Sequence, residues 1–149
     1  MTDHFLEAAI AEARASLADR DGIPIGSVLV IDDAIVGRGY NKRVQRGSPI
    51  LHAEMDCLAN AGRLQPRDYR RAALYTTLSP CDMCSGAILL YKIPTVVIGE
   101  NRTFRGPESY LASRGVALRV VDSDECFRLL QDYIARRPEL WREDIAEEP

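Results

Sequence analysis

Two short clusters of metal-ligating residue types restrict the fold of this chain more than anything else in it. His52-Ala53-Glu54 is followed by 25 residues and then by Pro80-Cys81-Asp82-Met83-Cys84. Each cluster opens an apolar-periodic stretch. A helix is expected from near His52 to about Ala61, ahead of Gly62, and another from Cys81 to a stop before Pro94. The segment AALYTTL (72–78) reads as a buried strand that ends at Ser79-Pro80, so strand and helix meet at the cysteines. A fold that uses both clusters must bring two helix N-termini to one point.

Chemistry favours that convergence. Histidine and cysteine are preferred ligands of a borderline-soft Zn²⁺, and three protein ligands leave a fourth tetrahedral position open, as in catalytic rather than structural zinc sites. Thiolate binds the metal, and cysteines at a helix start sit where unpaired N–H groups and the helix dipole favour negative charge. Cys81 and Cys84, three apart in a first turn, place both sulfurs on nearly one side. Zinc acidifies water toward neutrality, and Glu54 is the carboxylate at hand to carry the proton. Residues two apart diverge on a regular helix, so His52 and Glu54 both reach one ion only if His52 stands at the helix margin. Taken singly, a C-x-x-C is also a redox pair or half a zinc knuckle, and a lone histidine is also a bonded core residue. His4, the only other histidine, is expected to face solvent, and Cys126 to face the core.

The rest of the chain reads as one domain over residues 1–149, with no repeat, low-complexity tract or linker. Residues 3–19 carry a helical stripe with Thr2 or Asp3 as N-cap. IGSVLVI (25–31) and AIVGRGY (34–40) flank Asp32-Asp33 as a hairpin, although the turn lacks glycine. TVVIGE (95–100) and VALRVV (116–121) are further strands, and Asp124 to about Arg136 is a helix. This alternation predicts an α/β sandwich: a hairpin leading into a mostly parallel sheet with helices on both faces. No apolar run approaches a membrane span, and the N-terminal segment lacks the pattern of a secretory signal, so the expected address is cytoplasmic. A net charge of −3 argues against a protein that lives by gripping phosphates; no nucleic-acid partner and no membrane are expected. The arginines of 67–71 and 136–137 read as solvated faces.

H-x-E…P-C-x-x-C is the signature of zinc nucleobase deaminases, with the glutamate as acid/base and not a ligand. Within that group the chain resembles the fungal-type cytosine deaminases, which act on the free base. The resemblance runs from about Ala8 to Ile145 and is densest in GIPIG (22–26), GRGYN (37–41), LHAE (51–54), LYTTLSPCDMCSGAI (74–88), GEN (99–101) and RPELWREDI (137–145). It implies the cytidine-deaminase-like fold, a three-layer α/β/α sandwich around a mixed five-stranded sheet. It also implies a homodimer with one Zn²⁺ per subunit and a role in pyrimidine salvage, on cytosine, with 5-substituted cytosines as further candidates. By the same resemblance His52, Cys81 and Cys84 hold zinc and Glu54 shuttles protons. Asn41 bonds the pyrimidine edge, and the backbone at Ile25, Ala53 and Ser79 adds contacts. Asp144 makes a polar contact near the reacting end, and Phe104 and Trp141 form an apolar cover. Tyr40 stands where the fungal pattern has histidine, and Ala53 where it has glycine. Three other readings share parts of the pattern: a tRNA adenosine deaminase, a deaminase of guanine or another small heterocycle, and a noncatalytic zinc-stabilised module.

Overall fold

The computed structural model describes residues 3–148. In chain order the elements are α1 (His4–Ala18), β1 (Gly26–Ile31), β2 (Ala34–Tyr40), α2 (Arg43–Arg46), α3 (Ala53–Ala61), α4 (Pro66–Tyr69), β3 (Ala72–Leu78), α5 (Asp82–Tyr91), β4 (Thr95–Glu100), α6 (Glu108–Ser113), β5 (Ala117–Val120), α7 (Asp124–Arg136) and α8 (Pro138–Asp144). The five strands form one sheet in the order β2-β1-β3-β4-β5.

Local chemistry accounts for most boundaries. Asp3 caps α1, its carboxylate accepting from the Phe5 amide at 3.0 Å; Thr2, the alternative cap, lies outside the described residues. The β1–β2 turn places Asp32 at φ 51° and Asp33 at φ 61°. Two successive positive φ values are those of a type I′ turn, the one whose twist matches a hairpin, and aspartate reaches them at modest cost. Ser123 caps α7 through the Cys126 amide, and Pro138 opens α8 at a position where its missing N–H costs nothing. α2, α4 and α6 are too short to show a period, and the sequence pattern did not mark them.

The sheet is mixed, as expected. β3 pairs with β4 and β4 with β5 in parallel, but β1 is antiparallel to both β2 and β3. Four strands therefore share one direction and β1 alone opposes them. The hairpin adds to the sheet through its first strand, which leaves β2 at the edge; alternation of elements along the sequence carries no information about that choice.

Helices cover both faces. A Cβ on Gly26 would meet the backbone of Ala9 and Ala13 in α1, whereas one on Gly39, opposite Ser27 in the register, would strike the Cys57 amide of α3 at 2.3 Å. Adjacent strand positions point to opposite faces, so α1 and α3 sandwich the sheet. Cys126 brings α7 to the α1 face, among Leu6, Ala9 and Ile10. On the other face Leu29, Leu74, Val96 and Ile98 pack against Cys57 of α3, Ile88 of α5 and Leu111 of α6. A third cluster, including Ile23, Ile25, Leu78, Tyr133 and Trp141, fills the end of the sheet where β2, β3 and β4 finish. In open α/β sheets the crevice beyond the carboxyl ends of strands is where ligands bind.

Candidate active site and metal centre

At that end, His52 and Cys81 are the N-cap residues of α3 and α5, both in extended conformation. The two helix starts converge as the paired clusters require. His52 Nδ1 lies 3.4 Å from Cys81 Sγ and 3.8 Å from Cys84 Sγ, and the three candidate ligand atoms fall within 4.8 Å of one another. Tetrahedral zinc, with Zn–S near 2.3 Å and Zn–N near 2.0–2.1 Å, would set nitrogen and sulfur about 3.6 Å apart. The two observed separations bracket that value, so the donor set fits zinc in kind and in spacing. Because His52 leaves from the cap and Glu54 from the second helical position, the two side chains escape the divergence of a regular helix.

Asp144 orients the imidazole. Its Oδ1 lies 3.3 Å from His52 Nε2 and accepts from Asn41 Nδ2 at 2.9 Å. A carboxylate on the outer ring nitrogen fixes the tautomer that leaves Nδ1 free to ligate and raises its basicity. Asn41 is fully buried, with its Oδ1 accepting from the Arg43 amide at 3.0 Å.

The titration behaviour describes a site charged for a cation. Burial opposes the His52 imidazolium, but the hydrogen bonds to Asp144 and Cys81 and the nearby carboxylates win and push it up to about 11. The hydrogen bond from Cys84, with help from His52, brings Cys81 down to about 4 against burial. Cys84, bonded to Cys81 and buried, is pushed up. The two thiols thus share one proton beside a cationic ring, protons that a dication would replace. Burial drives Glu54 up to about 7, partly relieved by His52.

Ile25, Asn41, His52, Ala53, Glu54, Ser79, Cys81, Phe104 and Asp144 line one cavity of about 290 Å³, joined by Leu78 and Ile145, which the sequence reading did not single out. Two expected members stand elsewhere. Cys84 is buried beneath the cavity as a ligand candidate, and Trp141 does not line it. Trp141 packs edge-on against Phe104, with centroids 6.5 Å apart and planes at 81°.

Two buried carboxylates, Glu100 and Glu108, organise the loop bearing Phe104. Glu100 Oε2 accepts from the Arg102 and Thr103 amides at 2.7 and 2.9 Å. Glu108 accepts from Ser79 Oγ at 2.7 Å and from Asn101 Nδ2 at 3.2 Å. The loop presses on the ligand-bearing turn so closely that a Cβ on Gly106 would sit 1.8 Å from the Pro80 carbonyl oxygen.

Residues 1–100 match the family model described as the cytidine and deoxycytidylate deaminase zinc-binding region. The chain belongs to this deaminase family. His52, Cys81 and Cys84 are positioned to bind a metal ion, in keeping with a zinc-binding region. The chain is 46% identical over 143 residues to a cytosine deaminase of Candida albicans, covering 95% of both chains. It is 41% identical over 109 residues to a tRNA-specific adenosine deaminase of Streptococcus pyogenes, covering 71% of this chain and 67% of that one. Among solved structures it superposes with TM-score 0.68 and 29% identity on a chain from work on A-to-I editing by tRNA:A34 deaminases at the wobble position, covering 85% of this chain and 99% of that one. All three relatives are deaminases by name.

Proposed function

We propose that this deaminase hydrolyses free cytosine to uracil and ammonia. The observation that carries the reading is identity at 46%, sustained over 95% of both chains, to a cytosine deaminase. Zinc, when bound by His52, Cys81 and Cys84, supplies acidification of water toward neutrality. Glu54 accepts a proton from the attacking water and delivers protons to the ring nitrogen and the departing amine; cytosine and water become uracil and ammonia. A carboxyl pushed up to about 7 suits a group that must take and give a proton near neutrality. Asn41 holds the pyrimidine edge with the bonding capacity that Asp144 and Arg43 leave unused. Asp144 steadies His52 and faces the reacting end. Backbone groups at Ile25, Ala53 and Ser79 complete the rim, and Phe104 covers the base and excludes water.

Three features support the free base over RNA. The wide outer depression carries Arg43 and Arg105 beside Asp82, Glu143 and Asp144, and both arginines are already paired, Arg43 with Glu143 at 3.7 Å and Arg105 with Glu108 at 3.5 Å. The net charge is −3. Nucleic acid is gripped by concentrated positive charge. We further propose a single domain over 1–149, a homodimer and a cytoplasmic location. The exposed Leu90 and Tyr91 at the end of α5 and Ile50 near His52 offer apolar surface for a second copy. Among the described residues no helix is long and apolar enough to cross a membrane. The test is ammonia release by the zinc-loaded chain from cytosine, 5-methylcytosine, guanine, cytidine and adenosine-containing RNA. Cytosine is expected to be turned over fastest; inertness on every free base would overturn the reading.

A further inference from the structure

We propose that the buried Lys42–Asp56 ion pair is a positioning device that holds Asn41 in register with Glu54. The inference rests on the reading of Asn41 as the base-edge contact. Asn41 directly follows β2, while Glu54 belongs to α3, and nothing in either element alone fixes the distance between them. Asp56, two residues beyond Glu54, supplies the link. Its Oδ2 accepts from the Tyr40 amide at 3.1 Å and from Lys42 Nζ at 2.6 Å. One carboxylate oxygen thereby grips both chain neighbours of Asn41. The Asp56 amide in turn donates to the His52 carbonyl at 2.9 Å, so the grip is anchored in the helical turn that carries His52 and Glu54.

The surroundings leave little slack. Lys42 and Asp56 side chains are 13% and 5% exposed. The Lys42 ammonium lies 4.6 Å from the centre of the Tyr40 ring, and Tyr40 Oη donates to Asp19 at 2.9 Å. The Lys42 amide donates to the Leu51 carbonyl at 2.9 Å, and the Asn41 backbone donates to Ile25 at 3.0 Å and accepts from Ser16 Oγ at 2.9 Å. Gly39 lets β2 lie directly on α3, since a Cβ there would meet the Cys57 amide at 2.3 Å. A buried ion pair adds little net stability, because desolvation offsets attraction; its better-attested use is to fix register. Here the register is that between the end of β2, which reads the base, and the helix that transfers the proton.

The experiment compares Lys42→Met, Asp56→Asn and the double variant with the unaltered chain, all zinc-loaded, using cytosine. Each single change is expected to raise KM about tenfold with kcat within about twofold and one zinc retained, and the double to resemble a single rather than reach a hundredfold. Unchanged KM in the variants, whatever happens to the melting temperature, overturns the inference, as does a multiplicative double. If a single variant fails to fold, the double, which leaves neither charge buried alone, decides by the same KM criterion. Inertness of the unaltered chain on cytosine would remove the proposed function itself. Full activity with unresponsive variants would remove only the positioning role.

Discussion

Replacing Glu54 by glutamine separates proton transfer from every other property of the site. The carboxyl is 4% exposed, lines the cavity beside Cys81 and His52, and lies outside the three-atom cluster that holds the metal. Glutamine keeps its volume and hydrogen-bonding shape but can neither accept nor deliver a proton. General acid–base catalysis by one positioned group is worth roughly 10²–10⁴ in rate, or about 3–5 kcal/mol at 1.36 kcal/mol per decade. Glu54 is asked to move more than one proton in the cycle, so the loss in kcat should fall in the upper half of that range, with KM little changed. The assay is steady-state ammonia release from cytosine, run beside metal analysis and a thermal melt on the same preparation. One zinc per chain and an unshifted melt are expected, because neither a ligand nor a core contact is lost. Turnover within about threefold of the unaltered protein, with zinc in place, would refute the reasoning. Loss of zinc would refute it differently, by making Glu54 a ligand.

Other perturbations follow from particular contacts. Gly106→Ala drives a Cβ into the Pro80 carbonyl, a backbone atom that cannot yield. The Phe104 loop must shift, and kcat/KM should fall about a hundredfold with zinc retained, since a misplacement near 1 Å costs that much. Ile88→Ala, in the fully buried α5 face, should cost about 2–5 kcal/mol in denaturant unfolding. Asp3→Ala should cost about 1 kcal/mol through the lost cap. Burial raises the Asp3 carboxyl, but Arg119 and the Phe5 and Leu6 amides outweigh it and hold it below 3.8. Its stabilising effect is therefore complete above 3.8 and fades as pH falls through the lowered value, so urea midpoints of variant and unaltered protein should converge in acid. Zinc uptake should release protons from the His52 ring and the shared Cys81–Cys84 proton. Calorimetric enthalpies at neutral pH should then depend on the ionisation heat of the buffer, and independence would contradict the assigned charge states.

Much of this protein is written locally. The periods of α1, α3, α5 and α7 and the apolar runs of β1, β3 and β4 are visible because each element buries a continuous stripe, and residue type alone nominates His52, Cys81 and Cys84 as ligands. What stayed hidden depends on tertiary arrangement. The antiparallel insertion of β1 between β2 and β3 is a choice of sheet edge, with no periodic trace. Glu100, Glu108 and Asp56 are assigned no role in sequence; only the fold shows them buried and committed to amides, Ser79 and Lys42. Trp141, expected over the base, packs edge-on against Phe104. Tyr40, which departs from the fungal pattern, spends its hydroxyl on Asp19 and its amide on Asp56, away from the cavity.

The most direct test of the central claim is the rate of uracil formation from cytosine as zinc is returned stepwise to metal-depleted protein, with bound metal counted in each sample. The account predicts no turnover in the depleted chain and a rate that climbs in proportion to bound zinc, levelling at one ion per chain. Full turnover without zinc, or none at one zinc per chain, would contradict it.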